Sequence, residues 1–367
     1  MIRGKCAWLC VIAVLYLLAV PGLTGSAVAQ DAQISIERPM YVVMPPHLRN
    51  DVAPPAASLQ SWNGSFTFSG TTYTYNMVGA APSTNSTATI TTYVIPVKIV
   101  ITNRNPHQTY LRSFARTVER KHRHNQHRDF SGLRLNHDLR SGRSECGHNP
   151  VHRRLPAREL LGHGATNPNS HLLLNPTVLA EQTLSPRRTN GKTGSVFGFT
   201  AALVNINWFD AQVPNLINQL GIQPNQFPIF LLYDTYLTQG GQCCIGGYHS
   251  SEGSTSNPQS YAEATYVDHV GAFSQDVSAL SHKIGEWADD PLTVNFNGNN
   301  TPCGILENGD TLEGNANFGG FPYTLHGFTY NLQDLVTLPY FGAPTSTSVN
   351  GWLSFQNASL GVCSNGS

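Results

Sequence analysis

Charge is scarce in this chain. Lys, Arg, Asp and Glu make up 12% of its 367 residues, and 22 basic side chains balance 22 acidic ones. Nucleic acids and anionic bilayers are held by a surplus of basic charge, so neither is expected as the main partner. Beyond the N-terminal stretch, no apolar run approaches the ~20 residues of a spanning helix. The chain has no G-x-S-x-G elbow, no papain-like Cys context and no phosphate loop with its Lys, which sets aside three common catalytic designs. Cysteine is sparse as well. Of seven, Cys6 and Cys10 fall in the N-terminal stretch and Cys146 in an atypical segment, which leaves Cys243, Cys244, Cys303 and Cys363. Adjacent Cys243 and Cys244 do not have zinc-knuckle spacing, so the four are read as disulfide partners, with three pairings open.

Arg3 and Lys5 open the chain, Ala7 to Val20 is apolar, and Ala27-Val28-Ala29 precedes Gln30. Residues 1–29 therefore read as a secretory signal peptide, the apolar run being too short for a membrane anchor. The mature protein is expected to be secreted or periplasmic, a product of bacterial export. Residues 30–63 are Pro-rich and extended, 64–103 form an N-terminal β region, and 165–367 make up the principal domain. Between them, 104–164 is chemically foreign. It holds thirteen of the 22 Lys and Arg and eight of the 14 His, and no period organises its apolar residues. Three readings compete: a nucleic-acid or heparin patch, a His-rich metal tract, or out-of-frame translation. The last is preferred, because codons compatible with Gly142 to His163, shifted by one nucleotide, spell an ordinary amphipathic sequence. On that reading 104–164 has no ordered structure and its histidines are not ligands.

Alternating or β-branched stretches predict strands at Ser65–Phe68, Thr72–Asn76 and Thr87–Thr102, with Pro96 restricting the last to an edge or a bulge. Further strands are expected at Gly194–Trp208, Phe227–Tyr233 and Tyr261–Phe273. Asp210–Gly221 reads as a helix with Val213, Leu216, Ile217 and Leu220 on one face. Gly240–Ser250 reads as a Gly/Cys loop. The fold class is α+β, mostly β.

The chemistry gathers on Ser281-His282-Lys283-Ile284-Gly285-Glu286-Trp287-Ala288-Asp289-Asp290-Pro291. Ser274 suits the N-cap of a helix here and Pro291 ends it. Val277, Leu280, Ile284 and Trp287 form its apolar stripe, while His282, Glu286 and Asp289 share the other face. A surface helix with exposed polar residues would look the same. His282 and Glu286, four apart, project one turn from each other and can hold one metal ion. Glu307 and Asp310 follow in Leu306-Glu307-Asn308-Gly309-Asp310. Asp289-Asp290-Pro291 is read as closing the helix, in preference to a structural cation site.

These residues resemble the zincin metallopeptidases, in their gluzincin branch, where a third ligand Glu lies about twenty residues past the second. The resemblance implies a zincin-like active helix packed beside a sheet, zinc as cofactor, and a polypeptide substrate. His282, Glu286 and Glu307 would be the metal ligands, and Asp310 would orient His282 through its other ring nitrogen. It also implies that His249, or His326 and Tyr330, supply transition-state donors. The chain is similar, too, to a group of secreted bacterial proteins with an S-H-E-[IV]-x-E-W-x-[DN]-D-P block, a likeness extending over Gly246–Ser250 and Val349–Trp352. Three departures stand out. Glu286 replaces the usual His, the spacing is E-x-x-D rather than E-x-x-x-D, and Lys283 occupies the position of the general-base Glu. An ammonium beside a dication is no base, so activity is expected to be weak or lost. The competing expectation is a secreted, non-catalytic β-rich protein that binds a surface ligand.

Overall fold

The computed structural model describes residues 36–50, 57–102, 109–112, 171–293, 301, 306–325, 327–333 and 335. In chain order the strands are β1 (Ile36–Val43), β2 (His47–Arg49), β3 (Ser61–Phe68), β4 (Thr71–Val78), β5 (Thr87–Thr102), β6 (Thr109–Arg112), β7 (His171–Val178), β8 (Gln182–Leu184), β9 (Gly191–Val196) and β10 (Phe199–Asn205). Two short helices follow, α1 (Ile206–Asp210) and α2 (Val213–Leu220), then β11 (Phe227–Tyr233), β12 (Thr235–Gln239), β13 (Gln242–Ser254), β14 (Asn257–Tyr266), helix α3 (Ser278–Asp289), and a hairpin of β15 (Gly320–Leu325) and β16 (Phe328–Gln333). The class is a strand-dominated α+β fold.

Twelve strands make one mixed sheet along the path β6-β5-β11-β14-β13-β12-β10-β9, with β7 and β8 added to β5 and with β1 and β2 added to β13. Strand β11 is apolar throughout and fully buried because the sheet is covered on both faces. Its side chains alternate between two cores. Ile229, Leu231 and Tyr233 join Leu280 and Trp287 of α3, whereas Phe230 and Leu232 join Phe209 of α1 and Val213, Leu216 and Ile217 of α2. One strand thus anchors helices on opposite sides of the sheet.

Pro96 lies inside the sheet and not at its edge. It pairs with Leu231 of β11 on one flank, and on the other it falls in the gap between β7, which ends opposite Val94, and β8, which begins opposite Val97. A residue without an N–H is tolerated where the partner strand changes. β5 also joins the residues before the 104–164 segment to those after it in a single sheet, through β7, β8 and β11. Apart from the backbone of β6, that segment lies outside the described residues, as do residues 1–29 and Val349–Trp352.

Several boundaries differ from expectation. Gly240–Ser250 is no loop: only Gly240 and Gly241 turn, with φ of 59° and 87°, and β13 then runs buried through the sheet. Glycine and serine there are core residues, chosen for close approach; a Cβ on Gly246 would lie 2.7 Å from the Phe273 ring. Cys243 and Cys244 are bonded to each other at the start of β13, while Cys303 and Cys363 lie outside the described residues. The expected strand at Gly194–Trp208 is a hairpin, β9 to β10, followed by α1, which Asn205 caps by accepting the N–H of Trp208 at 3.0 Å. The expected helix from Asp210 starts at Val213 and closes at Gly221 in the left-handed region.

Asp210 is instead the hub of a buried network. Its Oδ1 accepts from Tyr248 Oη at 2.8 Å and Tyr261 Oη at 2.7 Å, and its Oδ2 meets His47 Nε2 at 2.5 Å. These contacts tie α1 to β13, β14 and β2. Asp210→Ala would strand two buried phenols, each with a desolvation cost. We expect a loss of about 2–3 kcal/mol in chemical denaturation, whereas a loss under about 0.5 kcal/mol would mean the network carries no stability.

Candidate metal centre

Helix α3 is not a surface helix. Of its twelve residues, all but Ile284 are buried, including the polar ones. Ser274 does not cap it. Both Ser274 and Asp276 have positive φ, and the helix begins at Ser278, behind Val277. Asp276 accepts the N–H of Asn331 at 2.9 Å, so it serves the β16 hairpin. The apolar side of α3 is fixed by Trp287, which stacks on Phe227 with ring centroids 3.7 Å apart and donates from Nε1 to Ser260 Oγ at 2.9 Å. Two residues after Asn331 along β16, Gln333 N–H donates to Ser281 Oγ at 2.8 Å. The helix is therefore clamped between sheet and hairpin, and its polar face has no freedom to turn toward solvent.

That face looks into a cluster of acids that is open to solvent at Asp310, whose side chain is 32% exposed. His282 Nε2 lies 2.7 Å from Glu286 Oε1 and 3.1 Å from Asp310 Oδ1. Gly309 permits the approach of the second acid, since a Cβ there would lie 2.6 Å from the imidazole. Its N–H donates to Glu286 Oε1 at 3.2 Å, and Gln333 Nε2 donates to its carbonyl at 3.2 Å. Asn308 Nδ2 donates to Asp289 Oδ2 and pins the same loop to the helix end. Tyr41 of β1 covers the imidazole, with ring centroids 3.8 Å apart, and its N–H donates to Glu313 Oε1 at 2.7 Å.

Lys283 is fully buried among these groups. Its ammonium donates to Glu286 Oε2 at 2.6 Å and to the Val42 carbonyl at 3.4 Å, and lies 3.9 Å from Glu307 Oε2. His249 of β13 completes the ring, with Nδ1 3.9 Å from Glu286 Oε2 and Nε2 3.8 Å from Glu307 Oε1.

The expected ligands thus share one buried cluster, but in a different grouping. Two trios have donor atoms within 4.8 Å of one another: His282 with Glu286 and Asp310, and His249 with Asp290 and Glu307. Asp310 meets the same ring nitrogen as Glu286 rather than the other one, and Glu307 stands with His249. Tyr330 packs on β16 against the core that holds Leu280 and Trp287, and His326 lies outside the described residues. Tyr41 and Glu313 were not foreseen. Glu313, three residues after Asp310, carries a spacing signal; nothing in the local sequence marks Tyr41.

The electrostatics follow from many buried acids and one lysine. Burial, opposed by Glu286, Asp310 and Glu307, leaves the Lys283 ammonium held above its usual range. Burial would raise Glu286, but His282 and Lys283 hold it well below the ordinary carboxylate value. Burial would lower His282, but Glu286 and Asp310 hold it above 6.5. Burial and then Glu286 push Glu307 and Asp310 up, and take Asp290 to about 7. Burial and Asp310 take Glu313 to about 8. Burial and Lys283 lower His249 to about 3.

A pH dependence follows for the metal-free protein. An acid with a raised folded pKa lends stability that is complete below its unfolded value and is lost as pH rises through the folded one. Asp290 and Glu313 therefore lose theirs up to about 7 and about 8. His282, also raised, loses its contribution above 6.5. His249, lowered, contributes fully once the pH exceeds 6.5 and adds no slope above it. Unfolding free energy in EDTA should accordingly fall between pH 6.5 and 8, and a flat or rising profile there would contradict the cluster's geometry.

The donors suit a divalent cation. One imidazole nitrogen and two carboxylate oxygens are an acceptable zinc set. A ring nitrogen carries at most one proton, yet two carboxylate oxygens converge on His282 Nε2, so it cannot donate to both. Comparison with family models, curated proteins and solved structures finds no match.

Proposed function

We propose that the protein is a secreted, zincin-like metal-dependent hydrolase of peptide bonds whose activity is weak or lost at Lys283. The convergence of Glu286 and Asp310 on the single nitrogen of His282 carries this reading. His282, Glu286 and Asp310 would hold the ion, with Glu307 on the far side of the ammonium. Zinc in such a set supplies Lewis acidity and an acidified water.

Lys283 is the obstacle for two reasons. Its ammonium is anchored to Glu286 Oε2 at 2.6 Å and held above its usual pKa range, so it accepts no proton at neutral pH. It would also repel a dication held by His282 and Glu286, because the ammonium sits on the same Glu286 carboxylate. Glu307, near the ammonium, offsets part of this.

A second reading, a non-catalytic binding protein in which any metal is structural, is favoured by one observation. His282, Lys283 and Glu286 are all 0% exposed, so a polypeptide does not reach them in this conformation. Zinc binding and hydrolysis of an unfolded protein substrate, measured on the wild type and Lys283→Glu, separate the two. Zinc bound by the variant without any gain in hydrolysis would sink the hydrolase reading and leave a structural metal. No zinc bound by either protein would remove the metal as well.

A further inference from the structure

We infer that His249, Asp290 and Glu307 form a second divalent-cation site, separate from the one at His282. Three distant segments deliver the trio. His249 stands in β13, paired with Ala262 of β14. Asp290 follows the last residue of α3, where its N–H donates to the Glu286 carbonyl at 2.7 Å. Glu307 belongs to Leu306–Gly309, the stretch that leads into Asp310. Donor atoms of the three lie within 4.8 Å of one another.

The burial of His249 and Asp290 with polar atoms aimed at one another and at Glu307 is what points to a ligand. Both ring nitrogens of His249 are fully buried. Asp290 is 1% exposed, and its Oδ2 is buried without a hydrogen bond. Buried polar side-chain atoms nearly always have partners, and an imidazole steadied by a backbone group, here that of Asp290, beside two carboxylates is the arrangement a metal completes. One nitrogen and two carboxylate oxygens again favour zinc, while admitting other borderline or hard dications.

The site does not depend on the hydrolase reading. It shares no donor residue with the His282 trio, although Glu286 lies between them, with Oε1 toward His282 and Oε2 3.9 Å from His249 Nδ1. A metal here would cross-link the sheet, the end of α3 and the Glu307 loop.

The test is zinc stoichiometry on the full chain, stripped with EDTA and titrated with zinc chloride, for the wild type, His249→Gln and His282→Gln. Two zinc ions per wild-type chain and one per variant are expected. Cobalt(II) bound in place of zinc should show visible bands that change on His249→Gln. One zinc per wild-type chain, retained by His249→Gln and lost by His282→Gln, would overturn this inference and leave the first site intact. One zinc lost by His249→Gln and retained by His282→Gln would support it and remove the first site. No zinc at all overturns both. If circular dichroism shows that His249→Gln does not fold, Asp290→Asn takes its place with the same expected stoichiometry.

Discussion

Lys283→Glu should raise zinc-dependent hydrolysis by about 10²- to 10⁴-fold, the usual contribution of a general base. The position sits one residue after His282 on α3, and its side chain already reaches Glu286 and Glu307 in the same cavity. A carboxylate there accepts a proton where an ammonium cannot. The exchange also reverses the local charge. Without metal, the variant adds another acid to Glu286, Glu307 and Asp310 and removes their one lysine, so it should be less stable than the wild type. Zinc should restore it, because a ligand at a thousandfold excess over its Kd adds about 4 kcal/mol to the folded state. The thermal midpoint of Lys283→Glu should therefore depend on zinc far more steeply than that of the wild type. A variant whose midpoint ignores zinc would show that these carboxylates bind no metal.

Glu286→Gln should cost about 3–5 kcal/mol in the metal-free protein, the penalty for leaving a buried charge without its partner. The substitution conserves shape, so packing against α3 is unchanged. What is lost is the anion 2.6 Å from the Lys283 ammonium and 2.7 Å from His282 Nε2. Denaturant unfolding in EDTA at neutral pH reads the loss. The double variant Lys283→Met/Glu286→Gln should recover most of it, because replacing a whole buried pair with neutral groups costs far less than breaking one. A single-variant loss below about 1 kcal/mol would place the pair in a solvent-like environment.

What could be read from sequence divides along physical lines. Regular apolar stretches such as Phe227–Tyr233 declared themselves, since a run without polar interruption must be buried on both faces. So did Val213, Leu216 and Ile217, whose spacing gave α2 its inward face. Gly240–Ser250 misled because small residues signal turns when viewed locally, whereas here they let β13 pass beneath Phe273 and Lys283. Pro96 misled for the opposite reason: its tolerance depends on β7 ending and β8 starting beside it. At the site, the i,i+4 pair of His282 and Glu286 was legible as helix periodicity. The exchange of Asp310 for Glu307 was not, because it is decided by how closely Gly309 lets the loop approach His282. Nor was the partnership of His249 with Asp290, which joins β13 to the end of α3 only once the helix packs on the sheet.

The placement of β1 and β2 bears on how the chain reaches this state. They pair in parallel with β13, joining Ile36 to Cys243 and Arg49 to Ser254, across some two hundred residues. Such long-range parallel pairing closes late and slowly, because a large loop entropy must be overcome before any contact rewards it. A nascent chain cannot complete this sheet until Ser254 has left the ribosome, so the seat of Tyr41 over His282 is among the last parts of the molecule to assemble.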